Sequence, residues 1–153
     1  MNRSALKDRG QAVTVIKSAL GDRLIDLSQP SEQRLYFRVE SEVIPDATRI
    51  LSDDLQARLQ TASAVDGPHR IEILYHWALD AVGLVITVRT AVDRDRPELA
   101  SITETCPSAE WIEREMWELM GISFRGHPDM RHLLLQDDWP EGQFPLRRDY
   151  RRD

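Results

Sequence analysis

Apolar positions Ala12, Val13, Ile16, Ala19 and Leu20 recur at the spacing of a helix face, which predicts a helix from about residue 10 to Leu20, ended by Gly21. Residues 1–9, ahead of it, are expected to fray. Leu24–Leu27 and Leu35–Glu40 read as short strands, because Leu35, Phe37 and Val39 alternate with Tyr36, Arg38 and Glu40. Ser28-Gln29-Pro30-Ser31-Glu32 between them reads as a turn. Pro45 suits the first turn of a second helix, and Ala47, Leu51, Leu55 and Leu59 fall on one stripe of it. Ala62–Val65 is a brief strand before the break at Asp66-Gly67-Pro68. Ile71, Ile73, Tyr75, Trp77 and Leu79 then alternate along a strand that pairs, through a turn at residues 80–83, with Leu84–Thr90. The charged run Val92–Pro97 reads as an exit loop. The order helix, strand, strand, helix, strand, strand, strand predicts an α+β fold, a two-layer α/β unit with helices on one face of a mixed sheet.

A third helix is predicted over residues 109–120, with Ser108 as its N-cap, Glu110 in the first turn and Gly121 as its left-handed C-cap. At about 100° per residue, Trp111, Ile112, Met116, Leu119 and Met120 share one arc, and Glu115 falls inside it. Trp117 falls on the opposite side among Glu110, Glu113 and Arg114. Burial of the helix on two sides, by its own domain and by another protein, would pair Glu115 and make Trp117 an interface anchor; the alternative is a glutamate at the rim and a tryptophan lying flat on the surface. Phe124–Asp129 is a turn, with Asp129 placed to cap the run Met130–Leu135. Residues 1–136 are therefore read as one domain, and residues 137–153 as an extended C-terminal tail. The tail keeps no period, yet Trp139, Phe144, Leu146 and Tyr150 stand among its prolines and arginines. Each large apolar group buried is worth about 1.5–3 kcal/mol, so the tail is expected to lie along another surface, either acidic or the headgroup region of a membrane, that receives Arg147, Arg148, Arg151 and Arg152.

Charge and cysteine content narrow the chemistry. A formal net charge of −6 opposes nucleic-acid binding, which demands a basic face. The longest central apolar run, Ala81–Val88, is far shorter than the roughly 20 residues of a membrane span. The start lacks the apolar stretch of a secretory signal, and Cys106 is the only cysteine, which together point to the cytoplasm. One thiol cannot by itself hold an iron–sulfur cluster or a structural zinc. No Gly-rich phosphate loop is present. His127 and Asp129 offer an acid and a base without a nucleophile beside them, and His127 and His132 offer a metal two imidazoles without a third ligand.

Glu113-Arg114-Glu115, Glu118-Leu119-Met120, His127, Arg131 and Leu133-Leu134 stand at the spacing of a family signature. The run Gly121–Leu134 is similar to "GI-F-GHPDLRRIL", and Pro145–Tyr150 to a closing "PLRKDY". On these motifs the chain resembles the 30-kDa subunit family of respiratory complex I, also called the C subunit of NADH-quinone oxidoreductase. Weaker similarity runs through Ala64-Val65-Asp66, Tyr75-His76 and Ser101-Ile102-Thr103, so the resemblance covers the chain from about residue 35 onward.

The resemblance implies a protein with no active site and no cofactor or metal of its own. It would be packed on the 49-kDa-type subunit of the peripheral arm, at the cytoplasmic face of the cell membrane. NADH, FMN, iron–sulfur clusters and quinone would lie elsewhere in the complex. The positions it assigns to the subunit interface are Glu113, Arg114, Glu115, Trp117, Glu118, His127, Pro128, Asp129, Arg131 and Trp139, followed by Pro145, Leu146, Arg147, Arg148, Asp149 and Tyr150. Trp139-Pro140-Glu141-Gly142-Gln143-Phe144-Pro145 is one step longer than the family's run, and the chain is short. Related membrane-bound [NiFe] hydrogenases and formate hydrogenlyases carry a compact version against the hydrogenase large subunit, so this partner stays open. Two further classes also stand: a small enzyme using His127 and Asp129, and an adaptor that captures acidic peptides with its tail.

Overall fold

Strands Asp26–Ser31 (β1), Arg34–Arg38 (β2), Arg58–Asp66 (β3), Arg70–Leu79 (β4) and Leu84–Asp93 (β5) form one sheet in the order β1-β2-β5-β4-β3. Only β2 and β5 run parallel, and the other pairs are antiparallel. The structure, a computed structural model, describes residues 8–152. The predicted order and mixed sheet are both present. Alternation puts Leu35 and Phe37 of β2, Ile71 to Leu79 of β4 and Leu84 to Val92 of β5 on one face, where all are buried. Helix α1 (Arg9–Leu20) adds Ala12, Ile16 and Leu20 to the same core. The opposite face is polar, with His76 set between Ser63 Oγ (3.3 Å) and Thr87 Oγ1 (3.0 Å).

Several boundaries differ from the sequence reading, each for a local reason. Of the nine residues expected to fray, 1–7 lie outside the described residues, while Asp8 caps α1 by accepting from the Gln11 amide (2.9 Å) and Arg9 opens it. The turn expected at Ser28–Glu32 is mostly strand: β1 runs on through Pro30, tolerated because β1 is an edge strand whose register slips between Ser28 and Ser31. The second helix is short. Helix α2 (Ile44–Arg49) passes into a π-helical turn (Ile50–Asp54), and Gln56 turns left-handed (φ 57°) with its side-chain amide on the carbonyls of Ser52 and Asp53. Ala47, Leu51 and Leu55 are buried as the stripe predicted, but Leu59 belongs to β3, nine residues long where a brief strand was expected.

The charged exit is also more ordered than predicted. Strand β5 continues to Asp93, and β6 (Glu98–Ala100) pairs in parallel with β7 (Ser123–Arg125) in a second, two-stranded sheet. Helix α3 (Glu110–Met120) connects these two strands, preceded by a 3-10 turn over Pro107–Ala109. Ser108 does not cap α3; its hydroxyl lies 3.2 Å from Cys106 Sγ.

Gly121 ends α3 with φ 74°, as predicted, and a Cβ there would sit 2.6–2.8 Å from the ring of Phe144. Gly121→Ala should therefore destabilise the fold by more than the about 1–2 kcal/mol that a left-handed L-residue costs. Urea unfolding of the two proteins checks this; equal midpoints would contradict it.

Candidate functional site

Three charged side chains of α3 are buried, and each grips a neighbouring segment of the same chain. Glu113, fully buried, accepts from the Ser101 hydroxyl (2.6 Å) and the Ile102 amide (2.9 Å). Ser101 Oγ also meets Thr103 Oγ1 (2.7 Å), so one carboxylate shapes the loop between β6 and α3. Burial raises the Glu113 pKa, with the Ile102 amide and Ser101 pulling the other way. Tyr75 below it has a buried hydroxyl with no hydrogen-bond partner, and burial, reinforced by the Glu113 charge, pushes its pKa up.

Arg114 and Glu118 face the irregular segment that follows β7. Arg114 donates from Nε to the Arg131 carbonyl (2.9 Å) and from Nη2 to that of His132 (2.7 Å). Glu118 accepts the amides of Leu133 (3.0 Å), Leu134 (2.7 Å) and Leu135 (3.3 Å) and meets His132 Nδ1 (3.1 Å). Burial alone would raise the Glu118 pKa, but these four bonds outweigh it and hold the carboxyl below its ordinary range. The run Met130–Leu135 is accordingly not capped by Asp129; it is irregular chain whose backbone groups are met by side chains of α3.

His127 and Asp129 do not form a dyad. His127 Nε2 bonds the Glu110 carbonyl (2.9 Å), Nδ1 accepts from the Asp129 amide (3.1 Å), and the Asp129 carboxylate forks onto Arg131 at 2.7 Å for both bonds. Both ring nitrogens serve the turn, which removes the acid–base reading. Nor do His127 and His132 share a ligand position, and among the described residues no group of three or more His, Cys, Asp or Glu could hold a metal.

The helix is covered on two sides, as expected, but its own chain supplies the second side. Met116 and Met120 pack into the core, while the Trp117 ring lies half-buried against His132 at 5.2 Å between centroids. This corrects the predicted facing: Glu115 is half-exposed, the inward carboxylates are Glu113 and Glu118, and the exposed aromatic is Trp111, at 68%.

The C-terminal segment, expected along another surface, runs along its own domain. Leu146 N bonds the Leu119 carbonyl (3.0 Å) and Trp139 Nε1 the Gln143 carbonyl (2.8 Å), with the Trp139 and Tyr150 rings 6.5 Å apart. Asp66, its carboxylate almost fully buried, is the latch. It accepts a fork from Arg94 (2.7 and 3.0 Å) and the Arg148 amide (2.9 Å), with Arg147 Nη1 at 3.7 Å. Arg94 also pairs with Asp149 (3.1 Å). Of the arginines expected to seek an acidic partner, Arg147 thus finds a carboxylate within its own domain, while Arg148 meets the same carboxylate through its backbone amide. Sequence reasoning missed Asp66 and Arg94, because both stand in runs that read as a break and a loop.

Of the predicted interface residues, Pro128, Arg131, Leu146, Arg148 and Asp149 are exposed, while Pro145, Arg147 and Tyr150 are half-buried. The family model of the respiratory-chain NADH dehydrogenase 30 Kd subunit matches residues 37–153. The chain belongs to this 30-kDa subunit family. It is 34% identical over 145 residues to the C subunit of F(420)H(2) dehydrogenase from Methanosarcina mazei, covering 91% of each chain. It is 32% identical over 123 residues to the C subunit of NADH-quinone oxidoreductase from Salinispora tropica, covering 76% of this chain and 49% of that one. Hydrogenase-4 component G of Escherichia coli is 30% identical over 158 residues, covering 97% and 28%. The chain thus spans half or less of the length of two of these curated relatives. A chain of the membrane-bound sulfane sulfur reductase, an archaeal respiratory membrane complex, superposes with a TM-score of 0.80 at 27% identity, covering 92% of this chain and 86% of that one. In this member of the 30-kDa family the signature residues Glu113, Arg114 and Glu118 are clamps that hold the loops around α3.

Two measurements check this. Glu118→Ala leaves three amides without their acceptor and should cost about 3 kcal/mol or more, with amide exchange accelerated first at residues 131–135. Arg94 beside Asp66 holds that carboxyl below the ordinary value of about 3.9. Its folded pKa is depressed, so the latch contributes stability above that value and loses it only as pH falls through the lower folded one. Limited proteolysis should spare residues 137–152 at neutral pH and cut them in Asp66→Asn at the same pH.

Proposed function

We propose that this chain is a docking subunit of the peripheral arm of a complex-I-like oxidoreductase, seated on a 49-kDa-type subunit at the cytoplasmic face of the membrane. Its role is to support electron transfer to quinone without carrying the electrons. NADH, FMN, the iron–sulfur clusters and quinone belong to the other subunits. Among the described residues no helix is long and apolar enough to cross a membrane; in this reading attachment is through the complex. The observation that carries the reading is the family match over residues 37–153, joined to a surface that leaves Trp111, Leu134 and Leu146 at 60–68% exposure.

Large apolar side chains beside a rigid, clamped backbone are what a partner's surface covers. In this reading the contacts come from the outward members of the predicted set, Glu115, Pro128, Arg131, Leu146, Arg148 and Asp149, with Trp111 added. Glu113, Arg114 and Glu118 act indirectly, by fixing the shape that these residues decorate. His127, Asp129, Trp117 and Trp139 fix the turn and the tail in the same way.

A second reading, the equivalent subunit of a membrane-bound [NiFe] hydrogenase or formate hydrogenlyase, is favoured by the match to hydrogenase-4 component G over 97% of this chain. One experiment separates the two. Affinity purification of the tagged chain from its native host, followed by mass spectrometry, should recover either a 49-kDa-type or a hydrogenase-large-type subunit, and the one recovered names the complex. Recovery of neither would overturn both readings. Trp111→Ala should leave the melting temperature nearly unchanged and lower that recovery about ten-fold or more, as expected of an exposed aromatic anchor.

A further inference from the structure

The two edges of the five-stranded sheet are built differently. Edge strand β1 is blunted by Pro30 and by its register slip. Edge strand β3, Arg58–Asp66, has neither proline nor a charge between its two ends, and its middle is Thr61-Ala62-Ser63-Ala64. An edge of small, uncharged residues without a bulge on its outer half is the kind that accepts another strand.

The phase of the ladder says which backbone groups are available. Gly67 N donates to Arg70 O (2.9 Å), which marks residues 67 and 70 as a hydrogen-bonded pair. Pairs in an antiparallel ladder alternate. In the register Val65↔Glu72, Ala64↔Ile73, Ser63↔Leu74 and Ala62↔Tyr75, the bonded pairs are therefore those of Val65 and Ser63. Ala62 and Ala64 turn their N–H and C=O groups away from β4. Among the described residues, the contact these groups make is one long approach of the Thr61 hydroxyl to the Ala62 carbonyl (3.4 Å).

Beside this edge lies a groove of about 230 Å³, walled by Ala62 and Ala64 on one side and by Ile112, Glu115 and Leu119 of α3 on the other, with Leu146 at its end. The C-terminal segment closes that end, because Leu146 N is bonded to the Leu119 carbonyl and Arg148 N to Asp66. Glu115 stands on the wall half-exposed, with no ion-pair or hydrogen-bond partner among the described residues. The groove therefore offers unpaired strand groups, apolar sides and one free carboxylate.

We propose that this groove takes an extended segment of the large partner subunit as an added strand on β3. The segment pairs its backbone with Ala62 and Ala64, sets an aliphatic side chain between Ile112 and Leu119, and places a lysine or arginine against Glu115. The proposal rests on the docking reading above and specifies how the docking is made.

Ala64→Pro tests it, because the lost N–H points away from β4, so the ladder of the folded domain is kept while the added strand loses a donor. The variant should melt within a few degrees of the wild type and, in the same affinity purification, recover about ten-fold less of the large subunit. Glu115→Lys should also reduce recovery. Independently of any variant, amide exchange across residues 60–66 should be slower in the purified complex than in the isolated full-length chain. Unslowed exchange there, in a complex that does contain the large subunit, overturns the added strand and leaves the docking reading standing. Failure of the wild type to recover a large subunit overturns both. Slowing that appears in the isolated chain as its concentration is raised would assign the edge to a second copy of this chain and overturn the proposal.

Discussion

Glu118 receives the amides of three consecutive residues and the ring of His132, and that one carboxylate decides where the chain goes after its last strand. A segment without helix or sheet has no partner within itself for its N–H and C=O groups, and burying them unpaired would cost about 1–3 kcal/mol each. Glu118 supplies acceptors and Arg114 supplies donors, so that the segment can be laid against α3. With the path fixed there, His127 is bonded to the start of the helix, Phe144 reaches Gly121, and Leu146 joins the helix end. The buried charges of α3 thus organise backbone rather than bind a ligand.

The sheet and the C-terminal segment are held by different physics. Non-directional burial holds the sheet, with Trp77, Tyr75 and Phe37 among its largest fully buried side chains. Directional, charge-assisted bonds hold the segment, converging on Glu118 at one end and on Asp66 at the other. Such bonds specify one path sharply while covering little apolar area. The result leaves Trp111, Leu134 and Leu146 in water, on a surface that is nonetheless well defined.

Strand periodicity in β2, β4 and β5 was readable because each has one apolar face, and α1 and α3 were readable from their stripes and terminal glycines. The continuation of β1 through Pro30 was not, since whether a proline breaks a strand depends on its being at the sheet's edge. Nor was the end of α2 legible: the stripe runs on to Leu59, and only the left-handed turn at Gln56, made by a residue with no special preference for it, diverts the chain. At the site, the signature residues themselves stood out in the sequence, but their direction did not. Period alone put Glu115 inward and Glu113 outward, because it counts the apolar arc and knows nothing of a second cover supplied from farther along the same chain. The aromatic residues of the tail were the sign that such a cover exists. What they could not say was whose surface they met.

The separation in sequence of the Asp66 latch bears on the order in which the protein is made. Asp66 meets Arg94 across 28 residues but the Arg148 amide across 82. During synthesis the sheet and its carboxylate–guanidinium pair can form before residue 148 has been added. The segment over residues 137–152 therefore settles after the sheet, onto a receptor already formed. Until residues 146–148 arrive, the Leu119 carbonyl and one face of the Asp66 carboxylate stay open, so the surface offered to a larger assembly is completed only after the sheet.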